Sequence, residues 1–283
     1  MAHGALKPAF FLLCLPLLLS LVFFLGGRQD KEDDTVKSDL AMAEQAVKAR
    51  DVADAEMFYE RYLRKNPKGE QRWNVWNSLL SIARNIRQDK TTTKNYLEIM
   101  LLEYGADPPK RREIQKQLAA VSSQLRMYDR AVDLWEILAE DEDTPAEDKA
   151  AVYRELSHAY MRRLEFSMAT EVLDLCLQLK VAPGTKADCL YDMAEAEVFT
   201  GDLEKSEKAL RSLLDIPAAS SQRRVLAVFM LADVLEQQNR PDEALQLFES
   251  IQETYPNSKV IEMRISALRN KSAPKKPDVV RRR

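Results

Sequence analysis

The chain has 283 residues, 31% of them charged and 46% hydrophobic, a balance suited to one or two folded, helix-rich domains. Lysine and arginine total 42 against 45 aspartates and glutamates, so no excess of positive charge marks a nucleic-acid surface. Seven glycines, two histidines and three cysteines are too few for a strand-rich fold or a glycine-rich phosphate loop, and no cluster has metal-ligand spacing.

A short segment, residues 1–7, precedes "PAFFLLCLPLLLSLVFFLGG", which runs from Pro8 to Gly27 without a charge between Lys7 and Arg28. Twenty helical residues at about 1.5 Å each span roughly 30 Å, the thickness of a hydrocarbon core. Residues 8–27 therefore read as a transmembrane anchor. The alternative is a cleaved signal peptide, whose apolar region is usually shorter and which has small residues before the cut. A cut after Gly27 would put Leu25 three residues back, a poor fit. "FLLC" lacks the small residues of a lipoprotein site, so Cys14 reads as one more lipid-facing side chain. Residues 28–35 form a charged linker.

Six helix-turn-helix units lie beyond it, near 36–69, 73–106, 112–145, 150–183, 187–220 and 225–258, then a capping helix to residue 268. The clearest is the last. Leu231, Ala232 and Leu235 lie on its first helix, "NRPDE" makes the turn, and Ala244, Phe248 and Ile251 lie on its second. The same pattern recurs upstream as Met193, Ala194, Ser206, Leu210 and Leu213, and as Leu156, Ser157, Ala169, Leu173 and Cys176. It recurs again as Leu118, Ala119, Ala131, Trp135 and Leu138, and first as Met42, Ala43, Ala55, Tyr59 and Tyr62. The second unit is degenerate. It has Leu80 on the first helix, then Thr92 where alanine is expected, Tyr96 and Ile99, and "DKTTTK" is a poor helix start because β-branched threonine loses rotamer freedom. The connectors "KGEQR", "GADPPKR", "DTPAEDK", "APGTK" and "PAASSQ" read as polar breaks between helices. Residues 269–283 carry seven basic residues and one acid and read as a disordered tail.

The small residue on each first helix, with a second-helix alanine followed four places on by an aromatic or leucine, resembles the tetratricopeptide repeat (TPR) family across residues 36–258. Small residues let neighbouring helices approach, and the large one fills the gap beside it. The resemblance implies an all-α, right-handed solenoid of about six repeats behind one N-terminal transmembrane helix. It implies a non-catalytic scaffold for protein partners, with no cofactor, metal, nucleic acid or small-molecule substrate. The expected place is the inner membrane, single-pass, with the repeats facing the periplasm in a bacterial cell-envelope complex. A protein secreted after signal cleavage is the alternative in location, and a translocon-associated, chaperone-like helper the alternative in function.

In this family the first helices line a groove that holds a peptide or a partner's helix. The matching positions are Asn77, Arg84, Asn85, Lys116, Arg154, His158 and Arg162, then Tyr191, Glu195, Phe199, Phe229 and Asp233. The polar and basic members would bind a backbone or carboxylate and the aromatics would anchor apolar side chains; the bland reading is a solvated face whose aromatics pack locally. Cys176 and Cys189 fall where small buried residues are required, which free cysteine satisfies. In an oxidising compartment the same two could form a disulfide. His158 has no nucleophile or metal partner in the sequence and reads as a polar groove residue.

Overall fold

The computed structural model describes residues 39–272, and within them every regular element is helical. The anchor at 8–27, the linker and residues 273–283 lie outside the described residues, and no helix among the described ones is long and apolar enough to cross a membrane. The chain divides into two compact units at Met100/Leu101. The first contains α1 (residues 39–49), α2 (Val52–Lys65), α3 (Arg72–Ser81) with its π-helical continuation Ile82–Ile86, and most of α4 (Lys90–Tyr104). The second contains α5 (Pro108–Gln124), α6 (Tyr128–Glu140), α7 (Ala146–Arg162), α8 (Phe166–Gln178), α9 (Pro183–Thr200), α10 (Leu203–Leu214), α11 (Ser221–Gln237), α12 (Pro241–Ser250) and α13 (Ser258–Ser272). In the second unit each helix packs on the next, and α9 also touches α7 and α11.

The repeat is written in the backbone. Positive φ occurs at Arg50, Gln88, Arg126, Leu164, Gly201 and Asn239, once in each hairpin turn, at steps of 37 or 38 residues. Each is the left-handed residue that closes a first helix, a place where glycine or asparagine is least strained. Five residues beyond every one of them stands the small residue of the second helix: Ala55, Thr93, Ala131, Ala169, Ser206 and Ala244, each at most 3% exposed. Both hydroxyls in this set find backbone acceptors, one across the helix pair and one on its own helix. Ser206 Oγ donates to the carbonyl oxygen of Ala194, the small residue of the facing helix, at 2.9 Å. Thr93 Oγ1 donates to the Asp89 carbonyl at 2.8 Å.

The second unit of the repeat shows where the alanine register slips. Its small residue is Thr93, not Thr92, and the buried large residues are Leu97 and Met100 rather than Tyr96 and Ile99. The cause lies one helix earlier. Seven residues separate the first-helix small residue from the turn residue in five repeats, but eight separate Leu80 from Gln88. The π-helical stretch Ile82–Ile86 absorbs the extra residue. Nor is "DKTTTK" a weak start, because Asp89 caps α4. Its carboxylate accepts from Thr92 N at 3.0 Å and from Thr92 Oγ1 at 2.7 Å, which satisfies a free N-terminal amide.

Several stretches read as connectors are helix starts. Pro108, Pro183 and Pro241 occupy the first helical position, where their missing N–H costs nothing. Asp107, Asp202 and Ser220 cap α5, α10 and α11 through their side chains. The first helices of the second unit thus reach 17 or 18 residues. At the other end α13 continues to Ser272, four residues into the stretch read as tail. Pro274 disfavours helix only at itself and the residue before it.

Cys176 on α8 and Cys189 on α9 are joined by a disulfide, with Cα atoms 6.2 Å apart. They sit with Ala150 in a cluster covered by Tyr153, Leu177, Leu179 and Val181.

Candidate functional site

The residues expected to face a partner divide between the two units. In the first unit Asn77 donates to the Trp73 carbonyl oxygen at 2.9 Å and Asn85 to Ser81 Oγ at 3.2 Å, while Arg84 is exposed beside them. Both amides are thus engaged with their own helix one turn back. The second unit brings the remaining positions together on the faces of α5, α7, α9 and α11.

The centre of that face is Asp192 on α9, a residue the family pattern does not single out. Its side chain is 3% exposed. Its Oδ2 accepts from Arg154 Nε at 2.5 Å, and His158 Nε2 on α7 lies 3.5 Å from the same oxygen. Burial pushes the Asp192 carboxyl up, but hydrogen bonding to His158 and Arg154 outweighs it and holds the group below its ordinary value. In turn the Asp192 carboxylate holds the His158 imidazole above its ordinary value. Arg154 also approaches Asp188 at 3.5 Å. Asp188 then accepts from Arg223 Nε on α11 at 2.7 Å, and the Arg223 guanidinium lies 4.5 Å above the Tyr191 ring.

Similar pairs continue to both sides. Lys116 on α5 lies 3.6 Å from Asp148 on α7. Arg264 on α13 bonds Asp233 and Glu236 on α11. Burial raises the Asp233 carboxyl despite Arg264 beside it. Alternating charge therefore stitches consecutive first helices across the face.

This changes the role of Arg154 and of two aromatics. The family pattern offers Arg154 to a partner's carboxylate, but its guanidinium already has two carboxylates of its own chain. Phe229 stacks on Tyr255 at 4.7 Å and meets the edge of Phe248 at 5.4 Å, so it packs locally. Phe199 stacks on Phe166 at 5.3 Å, yet 56% of it is exposed. What stays open on α7 and α9 is His158, Tyr191, Glu195 and, at the helix end, Arg162. Ligating atoms of His158, Asp192 and Glu195 lie within 4.8 Å of one another. A cation there would face the Arg154 guanidinium already held on Asp192, so the arrangement is that of an ion-pair network.

Asp192, Arg223 and Arg264 were not legible as site residues from the family positions. The available signal was separation by about one repeat: Arg154 and Asp192 are 38 residues apart and Asp188 and Arg223 are 35 apart.

Residues 191–259 match the tetratricopeptide repeat family model. No curated protein matches the sequence. Among solved structures the chain is similar to a Podosopora anserina protein of nearly identical TPR-like repeats, with TM-score 0.55 and 17% identity over 69% of this chain and 97% of that one. It is similar to pilF of Pseudomonas aeruginosa, with TM-score 0.52 and 10% identity over 85% and 99%. It is also similar to YrrB, a TPR protein with an unusual peptide-binding site, with TM-score 0.53 and 10% identity over 74% and 97%. These likenesses show the fold: an all-α chain of tetratricopeptide-like helical hairpins.

Proposed function

We propose that this chain is a non-catalytic scaffold, anchored in a bacterial inner membrane through residues 8–27, that holds a peptide or helix of a protein partner against the first helices of its second unit outside the cytoplasm. The observation that carries the reading is the stretch of α7 and α9 where His158, Tyr191 and Glu195 are partly exposed beside the buried Asp192–Arg154 ion pair. The buried pair fixes the rotamers beneath, so the open groups are held in place for a partner at little entropic cost. The apolar run and the bonded pair Cys176–Cys189 both fit a protein facing an oxidising compartment.

Tyr191 offers a rigid apolar ring with a polar tip, the type of side chain that anchors interfaces. Beside it, Glu195 and His158 offer an acceptor and a titrating donor for a partner's backbone or side-chain polar groups.

In-cell crosslinking of the full chain, with mass spectrometry of the captured proteins, tests this. One or two captured partners, lost on Tyr191→Ala or Glu195→Lys with the fold intact, are expected. A broad set of unfolded or nascent chains, weakened alike by both changes, would replace the scaffold with a chaperone-like helper. Capture unaffected by either change would move the partner site off this face.

A further inference from the structure

Three lines of equivalent positions run along the hairpin turns of the second unit. Two places before the left-handed residue stand Arg162 and Phe199 in consecutive repeats. At the left-handed residue itself stand Arg126 and Leu164, and four places after it Arg130 and Met168. Arg126 and Arg130 therefore lie one repeat before Leu164 and Met168, and Arg162 lies one repeat before Phe199. The ion pair of Arg163 with Asp129 at 3.4 Å holds the α5–α6 and α7–α8 turns side by side.

Apolar groups gather where the arginines stop. Leu164 is 73% exposed, an apolar side chain in water where arginine, glutamine, glycine and asparagine serve in the other turns. With Phe166, Met168 and Phe199 it lines a shallow depression, in which the Phe166 and Phe199 rings stack. Large apolar groups clustered in water mark a contact surface. The depression also continues the partner face, because Arg162 and Phe199 lie one helical turn beyond His158 on α7 and Glu195 on α9.

The charges around the depression are not all paired. Arg163 is held by Glu165 at 2.8 Å as well as by Asp129, and Lys205 by Asp202 at 3.1 Å. Arg126, Arg130 and Arg162 are exposed, and among the described residues none of the three has a carboxylate in ion-pair reach. On the other flank, in the α9–α10 turn, the exposed Glu204 likewise has no cation.

We propose that the segment held on α7 and α9 continues over this edge, with one large apolar side chain in the Leu164–Phe166–Met168–Phe199 depression and a run of acids on Arg126, Arg130 and Arg162. The partner is thus an acidic segment of a protein with an aromatic or leucine anchor, an assignment that rests on the partner face proposed for α7 and α9. Guanidinium forks match carboxylates, and burying the anchor removes apolar surface from water. Glu204 repels acids on its own flank, so the acidic run points toward α5 and α6. A lipid bilayer fits less well. Asp129, Glu165, Asp202 and Glu204 lie in the same turns and break up the broad positive field that anionic headgroups require.

Phage display of random peptides on the full chain in phosphatidylcholine nanodiscs, followed by fluorescence anisotropy of the tightest peptide, tests this. The enriched peptides should carry an aromatic residue or leucine within a few places of two or more acids. Leu164→Ser, at an exposed position outside the core, and Arg126→Glu/Arg162→Glu should each weaken the tightest peptide at least tenfold. A twin peptide with lysines in place of the acids should bind the wild type at least tenfold more weakly and regain affinity for Arg126→Glu/Arg162→Glu, a gain that damage to the fold would not produce. Peptides weakened by Tyr191→Ala but by neither edge change would overturn this proposal and leave the partner face standing. Peptides weakened by none of these changes would remove both. An enriched set without acids would also overturn it, and so would a benzoylphenylalanine at Met168 that labels lipid or a second copy of the chain instead of the peptide.

Discussion

Asp192 concentrates the electrostatics of the partner face in one buried carboxylate. It receives Arg154 at 2.5 Å and has His158 at 3.5 Å. Asp192→Ala would remove the nearest counter-charge of the half-buried Arg154 and leave it Asp188 and Glu155, and unfolding stability should drop by about 3 kcal/mol, measured by urea denaturation. The histidine adds a pH dependence with a definite sign. Its folded pKa is raised, so its contribution is full below the ordinary value near 6.5 and is lost as pH rises through the folded value. Asp192 is lowered, so its contribution is present above the ordinary value near 3.8 and is lost as pH falls through the folded one. The pair is thus strongest between about pH 4 and 6.5. Thermal melts should show a lower Tm at pH 8.5 than at pH 6, and His158→Gln should flatten that difference. The turn residues test the backbone alone. Gly201, at φ 87°, has nothing within 4 Å of an added Cβ, so Gly201→Ala should cost about 1 kcal/mol through strain and no clash. Leu164→Gly should gain a similar amount for the converse reason.

Among the helices, the second repeat shows what sequence patterning reveals and what it misses. The alternation of small and large residues identifies paired helices because each marks a buried contact, and Ala131, Trp135 and Leu138 are buried as that pattern requires. It misplaces Thr93 by one because the extra residue is taken up by a π turn, which leaves the two flanking registers intact and has no composition of its own. Helix starts escape the pattern for a related reason. Proline ends a helix when it comes after one and begins a helix at the first position, and its sign depends on which side the hydrogen bonds lie. The candidate face was legible as positions, Arg154, His158 and Tyr191 among them. Its chemistry was not, because the ion pairs depend on how α9 is rotated against α7 and α11. Deleting Asn85 should convert the π turn to regular α-helix, restore the seven-residue spacing and change stability by less than about 1 kcal/mol. Deleting Glu155 from α7 would rotate everything beyond it by about 100°, turning Leu156, Ser157 and Tyr160 off their buried face. Circular dichroism melts should show a cooperative transition for the first deletion and its loss for the second.

At the scale of the whole molecule, the chain divides within α4 into two compact units, and the disulfide lies in only one of them. In stacked repeats each hairpin contacts its neighbours, so a local change spreads to adjacent helices and fades with distance. Cys176 and Cys189 stand 13 residues apart across the α8–α9 junction, where one repeat passes to the next. Constraining a loop of that size stabilises by about 3 kcal/mol in the chain-entropy view. Cys176→Ala/Cys189→Ala keeps small apolar residues in the Ala150 cluster and removes the bond, so what is lost is chiefly the constraint. Hydrogen exchange on the double variant should speed up in α7 through α10 and leave residues 39–100 unchanged. The oxidised wild type compared with the reduced one should show the same map. If residues 39–100 lost protection along with α7 to α10, the two units would be one cooperative body. If α8 and α9 kept theirs, the bond would stabilise nothing beyond what packing around Ala150 already provides. The first pattern is expected, because the constraint acts on helices that belong wholly to the second unit.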